Sequence, residues 1–126
     1  MADGLKFVMR DPKKAHIVKW PVKWQTAGPE GELMEVGFMG HFKVLPSEEV
    51  GELFGGGMFG RFADPKKNKT GIPEVLVNWS GVLDHDEKAE VPFSDEQLEN
   101  LLAYEDTLTA CVTAYAHCLA GHHAKN

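Results

Sequence analysis

Through its first 45 positions the chain alternates apolar and polar residues; beyond them the apolar residues recur at helical spacing. Leu5, Phe7 and Met9 lie on one side of a short alternating run, the period-two signature of a strand. Asp11-Pro12 breaks it. From Ile17 to Trp24 the alternation returns, with Val18, Trp20, Val22 and Trp24 on one face. Pro21 has no N–H to give a ladder, so this run is expected at a sheet edge or at a bulge. Ala27-Gly28-Pro29-Glu30-Gly31 is a turn cluster. Met34, Val36, Phe38, Phe42 and Val44 then share the even positions of a longer run, which Gly40 interrupts as a bulge or bend would. Residues 14 to 45 thus read as a long antiparallel hairpin, with residues 5 to 9 as a candidate third strand.

The second part of the chain changes period. Pro46-Ser47-Glu48-Glu49 opens a short helix, with Ser47 as N-cap and the acids at the positive end of the dipole. Gly55-Gly56-Gly57 ends it. Residues 55 to 71, rich in glycine and lysine, are expected to form a loop. Ile72-Pro73-Glu74 starts another short helix, with Pro73 near its first position, although the valines that follow leave a strand open. At Phe93-Ser94-Asp95-Glu96-Gln97-Leu98, Ser94 and Gln97 have the spacing of a capping box, and Phe93 and Leu98 that of a hydrophobic staple. Leu98, Leu101 and Leu102 share a face of that helix. After a break near Tyr104-Glu105, the last helix runs from about Asp106 to Ala120 with Leu108, Cys111, Val112, Tyr115, Cys118 and Leu119 as its apolar stripe. Gly121 suits its C-terminal cap, and His122, His123 and Lys125 suit the negative helix end. Strands first and helices after predict an α+β fold: a small antiparallel sheet with helices packed on one side.

Composition narrows the setting. A chain of 126 residues reads as a single domain, residues 1–126, able to bury roughly 60–70% of its unfolded surface without staples. A net charge of −6 disfavours nucleic acid, whose phosphates need clustered Lys and Arg. Cys111 and Cys118 lie two helical turns apart, about 10 Å, too far for a disulfide, and read as reduced core thiols. Met1-Ala2-Asp3-Gly4 is polar and the following apolar run is short, so neither a secretion signal nor a membrane span is expected.

Motifs that carry chemistry are thin. Gly55-Gly56-Gly57-Met58-Phe59-Gly60 matches G-x-G-x-x-G, but a predicted helix precedes it where a dinucleotide site needs a strand. Asp84-His85-Asp86-Glu87-Lys88-Ala89-Glu90 resembles a calcium loop, yet Lys88 stands where a ligand belongs and Ala89 where a glycine does. Cys111, Cys118 and His122 share one helical face, but structural zinc is closed by ligands from two or more segments. No nucleophile elbow or reactive-cysteine context appears. The reading is therefore of a chain with no enzymatic activity, cofactor or metal. Lys66, Lys67 and Lys69 form a basic cluster in an acidic chain, either a solvated loop or a contact for an acidic partner. Trp20 and Trp24 share a strand face. Under helices they are core; uncovered, they form a partner patch. Trp79 is expected beneath the last helices.

One ordered set of elements resembles a family. Trp79-Ser80-Gly81-Val82, an acidic turn, Pro92-Phe93-Ser94 at a helix start, and Ala114-Tyr115 in the last helix resemble the tail assembly chaperones of long-tailed bacteriophages and prophages. The resemblance covers about fifty residues and extends to the N-terminal half only as a strand-rich pattern. It implies a protein of the host bacterial cytoplasm that binds the tape measure protein, helps bring tail tube protein to it, and is absent from the mature virion. Trp79, Gly81, Val82, Pro92, Phe93 and Tyr115 would then be structural. The glycine-rich insert around residues 55 to 71 departs from the family pattern. A virion component, such as a minor tail or head-tail joining protein, is the alternative, with a small host regulator or enzyme behind it. The resemblance also implies a ribosomal frameshift near Ala124-Lys125-Asn126, which GCA-AAA-AAC can encode; otherwise these residues are a plain polar tail.

Overall fold

The computed structural model describes residues 4–56 and 60–121. Two strands of equal length, β1 (Ile17–Ala27) and β2 (Leu33–Lys43), form the expected hairpin. Its register pairs Trp20 with Gly40, Val22 with Phe38 and Trp24 with Val36. At the turn, Gly31 has φ +83° and donates its N–H to the Gly28 carbonyl, a conformation that favours glycine. β3 (Leu76–Ser80) pairs antiparallel with the other edge of β2, so the sheet order is β1-β2-β3. The ladder shifts register between His41 and Phe42, one residue beyond Gly40. Gly40 itself is required by packing: a Cβ there would lie 2.7 Å from the Phe42 ring.

The even positions of β1 and β2 face the helices α1 (Ser47–Phe54), α2 (Pro65–Val75), α3 (Asp95–Leu102) and α4 (Glu105–Ala120), giving the α+β architecture that the change of period predicts. Tyr115 of α4 sits at the centre. Its fully buried ring meets Phe42 at 5.5 Å, Phe54 at 5.6 Å and Phe62 at 6.3 Å, and its hydroxyl donates to the Lys43 carbonyl at 2.8 Å. One side chain thus ties the last helix to the hairpin and to α1. The neighbouring α1–α2 contact is equally close, since a Cβ on Gly71 would lie 2.6 Å from Phe54.

Four local expectations are corrected. Residues 5 to 9 form no strand; Leu5, Phe7, Val8 and Met9 are 74–82% exposed. The ladder has both edges settled without them. β3 takes the far side of β2, and the outer edge of β1 carries Pro21. The Val44 N–H donates to the His16 carbonyl, so even residues of β1 point their backbone groups at β2 and odd ones point outward. Pro21 therefore leaves a missing donor on the open edge, which discourages a further strand. Second, the stretch 55 to 71 is not all loop: α2 begins at Pro65, capped by Asp64, whose Oδ1 accepts the Lys66 N–H at 3.0 Å. Third, Pro73 lies inside α2 near its end rather than at a helix start, and the open strand reading after it is the one realised, as β3. Fourth, Ser47 is the first residue of α1 and not its cap; Pro46 holds the cap position, and Ser47 Oγ accepts from Arg61 Nη2 at 3.2 Å.

The C-terminal signals hold more closely. Ser94 Oγ accepts the Gln97 N–H at 3.1 Å, half of a capping box, while the Gln97 amide oxygen accepts from Asn100 instead of turning back. α4 ends at Gly121 with φ +73°, the left-handed cap expected there. Gly57, Met58 and Phe59, the His122-His123 pair, and the Ala124-Lys125-Asn126 tail lie outside the described residues.

Candidate functional site, an aromatic groove beside the acidic turn

Two of the sequence elements that carry the resemblance, Trp79-Ser80-Gly81-Val82 and Pro92-Phe93-Ser94, meet in space. Trp79 points from β3 into the core at 6% exposure, and its Nε1 donates to the Val91 carbonyl at 2.8 Å. Phe93 packs edge-on against it with ring centroids 4.9 Å apart. Gly81 leaves the strand with φ +86° and donates its N–H to Glu90 Oε1 at 2.7 Å. Val82 accepts from the Val91 N–H at 2.7 Å, and Leu83 bridges to Glu90. Residues 81 to 91 therefore form a small hairpin whose tip is the acidic turn. Asp84 Oδ1 organises that tip by accepting the Asp86 and Lys88 N–H groups, both at 3.1 Å. This carboxylate is turned toward backbone, the work of a turn residue. Pro92 is exposed and only leads into α3, while Tyr115 stays in the central core.

Between this hairpin, the sheet and the α3–α4 junction lies an open groove of about 810 Å³. Its floor is aromatic: Trp24, Phe38 and Trp79, with Phe38 edge-on to both tryptophans at 6.1 and 6.0 Å. Leu83 and Tyr104, 49% and 69% exposed, stand at its lip, and Asp84 and Glu87 line its acidic side. Trp24 Nε1 is buried with no hydrogen-bond partner among the described residues. An unmet buried donor is costly to the fold.

The residues singled out as partner-binding separate here. Trp20 is 8% exposed, covered by the helices, so the exposed-patch reading is corrected to core. Trp24 is half-buried and keeps one edge in the groove. Lys66, Lys67 and Lys69 are exposed as expected, but they ride on α2, do not line the groove, and belong to a helix, not a loop. Leu83 and Tyr104 are exposed groove residues that sequence reasoning did not single out. The only signal for Tyr104 was a large aromatic placed at a helix break.

The other candidate chemistry takes structural form. Cys111 and Cys118 are buried; burial pushes the Cys111 thiol up to about 12 and raises that of Cys118, which keeps both protonated and poorly nucleophilic. Among the described residues there is no grouping of three or more His, Cys, Asp or Glu side chains able to hold a metal, and no helix long and apolar enough to cross a membrane. Gly55 and Gly60 flank a connection between two helices, and the α2 N-terminus is already met by Asp64. Against protein-family models, curated proteins and solved structures the chain finds no match.

Proposed function

We propose that the chain is a tail assembly chaperone whose aromatic groove covers apolar segments of a tape measure protein during tail assembly. The observation that carries this reading is that Trp79, Gly81 and Val82, on which the family resemblance rests, line an open apolar groove, with Phe93 packed against Trp79. A chaperone for a long, aggregation-prone chain needs a surface that takes apolar side chains reversibly. A concave aromatic floor offers that apolar contact. A net charge of −6 keeps such a protein soluble while part of its apolar surface is open. The reading assigns no reaction, cofactor or metal to the chain.

Co-expression tests it. The protein is expected to raise the soluble yield of the tape measure protein encoded beside it and to co-purify with that partner. Leu83→Asp, at the exposed lip, should lower the yield without changing the fold. Failure to co-purify, together with detection of the protein in finished virions, would instead favour a minor tail or head-tail joining component.

A further inference from the structure

We infer that the groove is also an interface between copies of this chain, taking the N-terminal arm, residues 4–10, of a second molecule. The proposal shares the groove with the functional reading above but does not need the client to be a tape measure protein. Two unsatisfied surfaces carry it. The arm exposes Leu5, Phe7, Val8 and Met9 at 74–82%, a run of large apolar side chains with nothing over it. Isolated apolar residues on a surface are ordinary; a contiguous run marks a contact site. The groove has the complementary shape, with an aromatic floor and the exposed Leu83 and Tyr104 at its lip.

Charge runs the same way. Residues 4–16 hold Lys6, Arg10, Lys13 and Lys14 against the single acid Asp11, in a chain whose net charge is −6. The turn 84–90 beside the groove holds Asp84, Asp86, Glu87 and Glu90 against Lys88. Lys6 and Arg10 have no ion-pair partner among the described residues, and of the turn's carboxylates only Asp86 has one, His85 at 3.5 Å. An extended arm laid in the groove puts Leu5, Phe7 and Met9 on the aromatic floor, since alternate side chains share a face. Lys6 and Arg10 then lie toward the acidic turn.

A second copy, not the same chain, is the donor. In this structure the arm lies outside its own groove: none of its residues is among the groove's lining, and its apolar side chains are exposed. A turn stands between the arm and β1, where the Lys14 N–H donates to the Asp11 carbonyl at 3.1 Å and the Lys13 N–H to Asp11 Oδ1 at 2.9 Å. A client segment entering the groove must displace the arm.

Sedimentation of the full chain alone tests this. Wild type is expected to associate reversibly with rising concentration and to dissociate at high salt. The triple variant Leu5→Ser, Phe7→Ser, Met9→Ser should lower the association constant by at least about a hundredfold, while its melting temperature and circular dichroism stay as in wild type. Lys6→Glu with Arg10→Glu should weaken association, and adding Asp86→Lys with Glu87→Lys should restore it. Mixing the triple arm variant with the groove variant Leu83→Asp should produce a heteromer that neither forms alone. A wild type that stays monomeric throughout, with its arm protected or unprotected from protease, overturns the proposal. So does a triple variant that assembles like wild type. Neither result touches the co-purification experiment, so the two readings fail separately.

Discussion

At the scale of single residues, the centre of the molecule is Tyr115. Its ring touches aromatics from β2, α1 and the segment before α2, and its hydroxyl holds the Lys43 carbonyl. Tyr115→Phe keeps the ring contacts and removes only the hydrogen bond, so it should cost about 1 kcal/mol, read as a lower urea midpoint at unchanged slope. The same burial makes stability sensitive to alkali. It raises Cys111 from 9.0 to about 12 and Tyr115 from 10.0 to about 12. The unfolded chain therefore releases these protons first as pH rises. Their contribution is complete below about pH 9 and is lost between there and pH 12. Urea midpoints should be level up to about pH 9 and then fall; Cys111→Ala should begin lower, for lost packing, but fall less steeply.

At the scale of elements, α3 is the part whose start was most legible and whose purpose was least so. Phe93 and Ser94 place its first turn, and the Ser94 cap is present as read. What the spacing did not reveal is that Phe93 packs on Trp79 and so ties the helix entry to β3 and the groove wall. Ser94→Ala should cost about 1 kcal/mol, the usual worth of a cap. Phe93→Ala should cost more, about 2–3 kcal/mol, because it also removes half-buried ring contact. Thermal melts of the two variants check the order; equal losses would mean that the ring contributes no more than the cap. α2 shows the opposite case. Glycine and lysine in residues 55 to 71 hid a helix, because Asp64 and Pro65 supply a start and the buried face of Asn68, Gly71, Ile72 and Val75 supplies its packing. Gly71 is unfavourable in an isolated helix and is favoured here by its closeness to Phe54.

At the scale of the whole molecule, the helices close one face of the sheet and leave a groove where the 81–91 hairpin stands away from β2. The features that most resembled ligand sites are used for structure instead. Asp64 meets the α2 N-terminus, and Asp84 is turned to the backbone of its own turn. A thermal-shift panel of ATP, NAD, zinc and calcium is accordingly expected to leave the melting temperature unchanged. A reproducible rise of several degrees with any of them would overturn the reading of the chain as a protein-binding module.

Periodicity by itself determined the hairpin, its inward face, the last two helices and the α+β class, because side-chain alternation and helical spacing are local properties of a chain that must bury one face. It also identified Trp20 and Trp24 as neighbours on that face. Only the tertiary structure decided that Trp20 is sealed while Trp24 keeps an edge in the groove, since this depends on where α4 ends its cover and where the 81–91 hairpin begins. The third strand was decided there as well. Leu5 to Met9 and Leu76 to Ser80 both have strand-like composition, but β2 has one remaining edge, and the segment held against it by the buried Leu76 and Trp79 takes it. The N-terminal run is left exposed, because pairing depends on which partner the rest of the fold presents, and no local pattern encodes that choice.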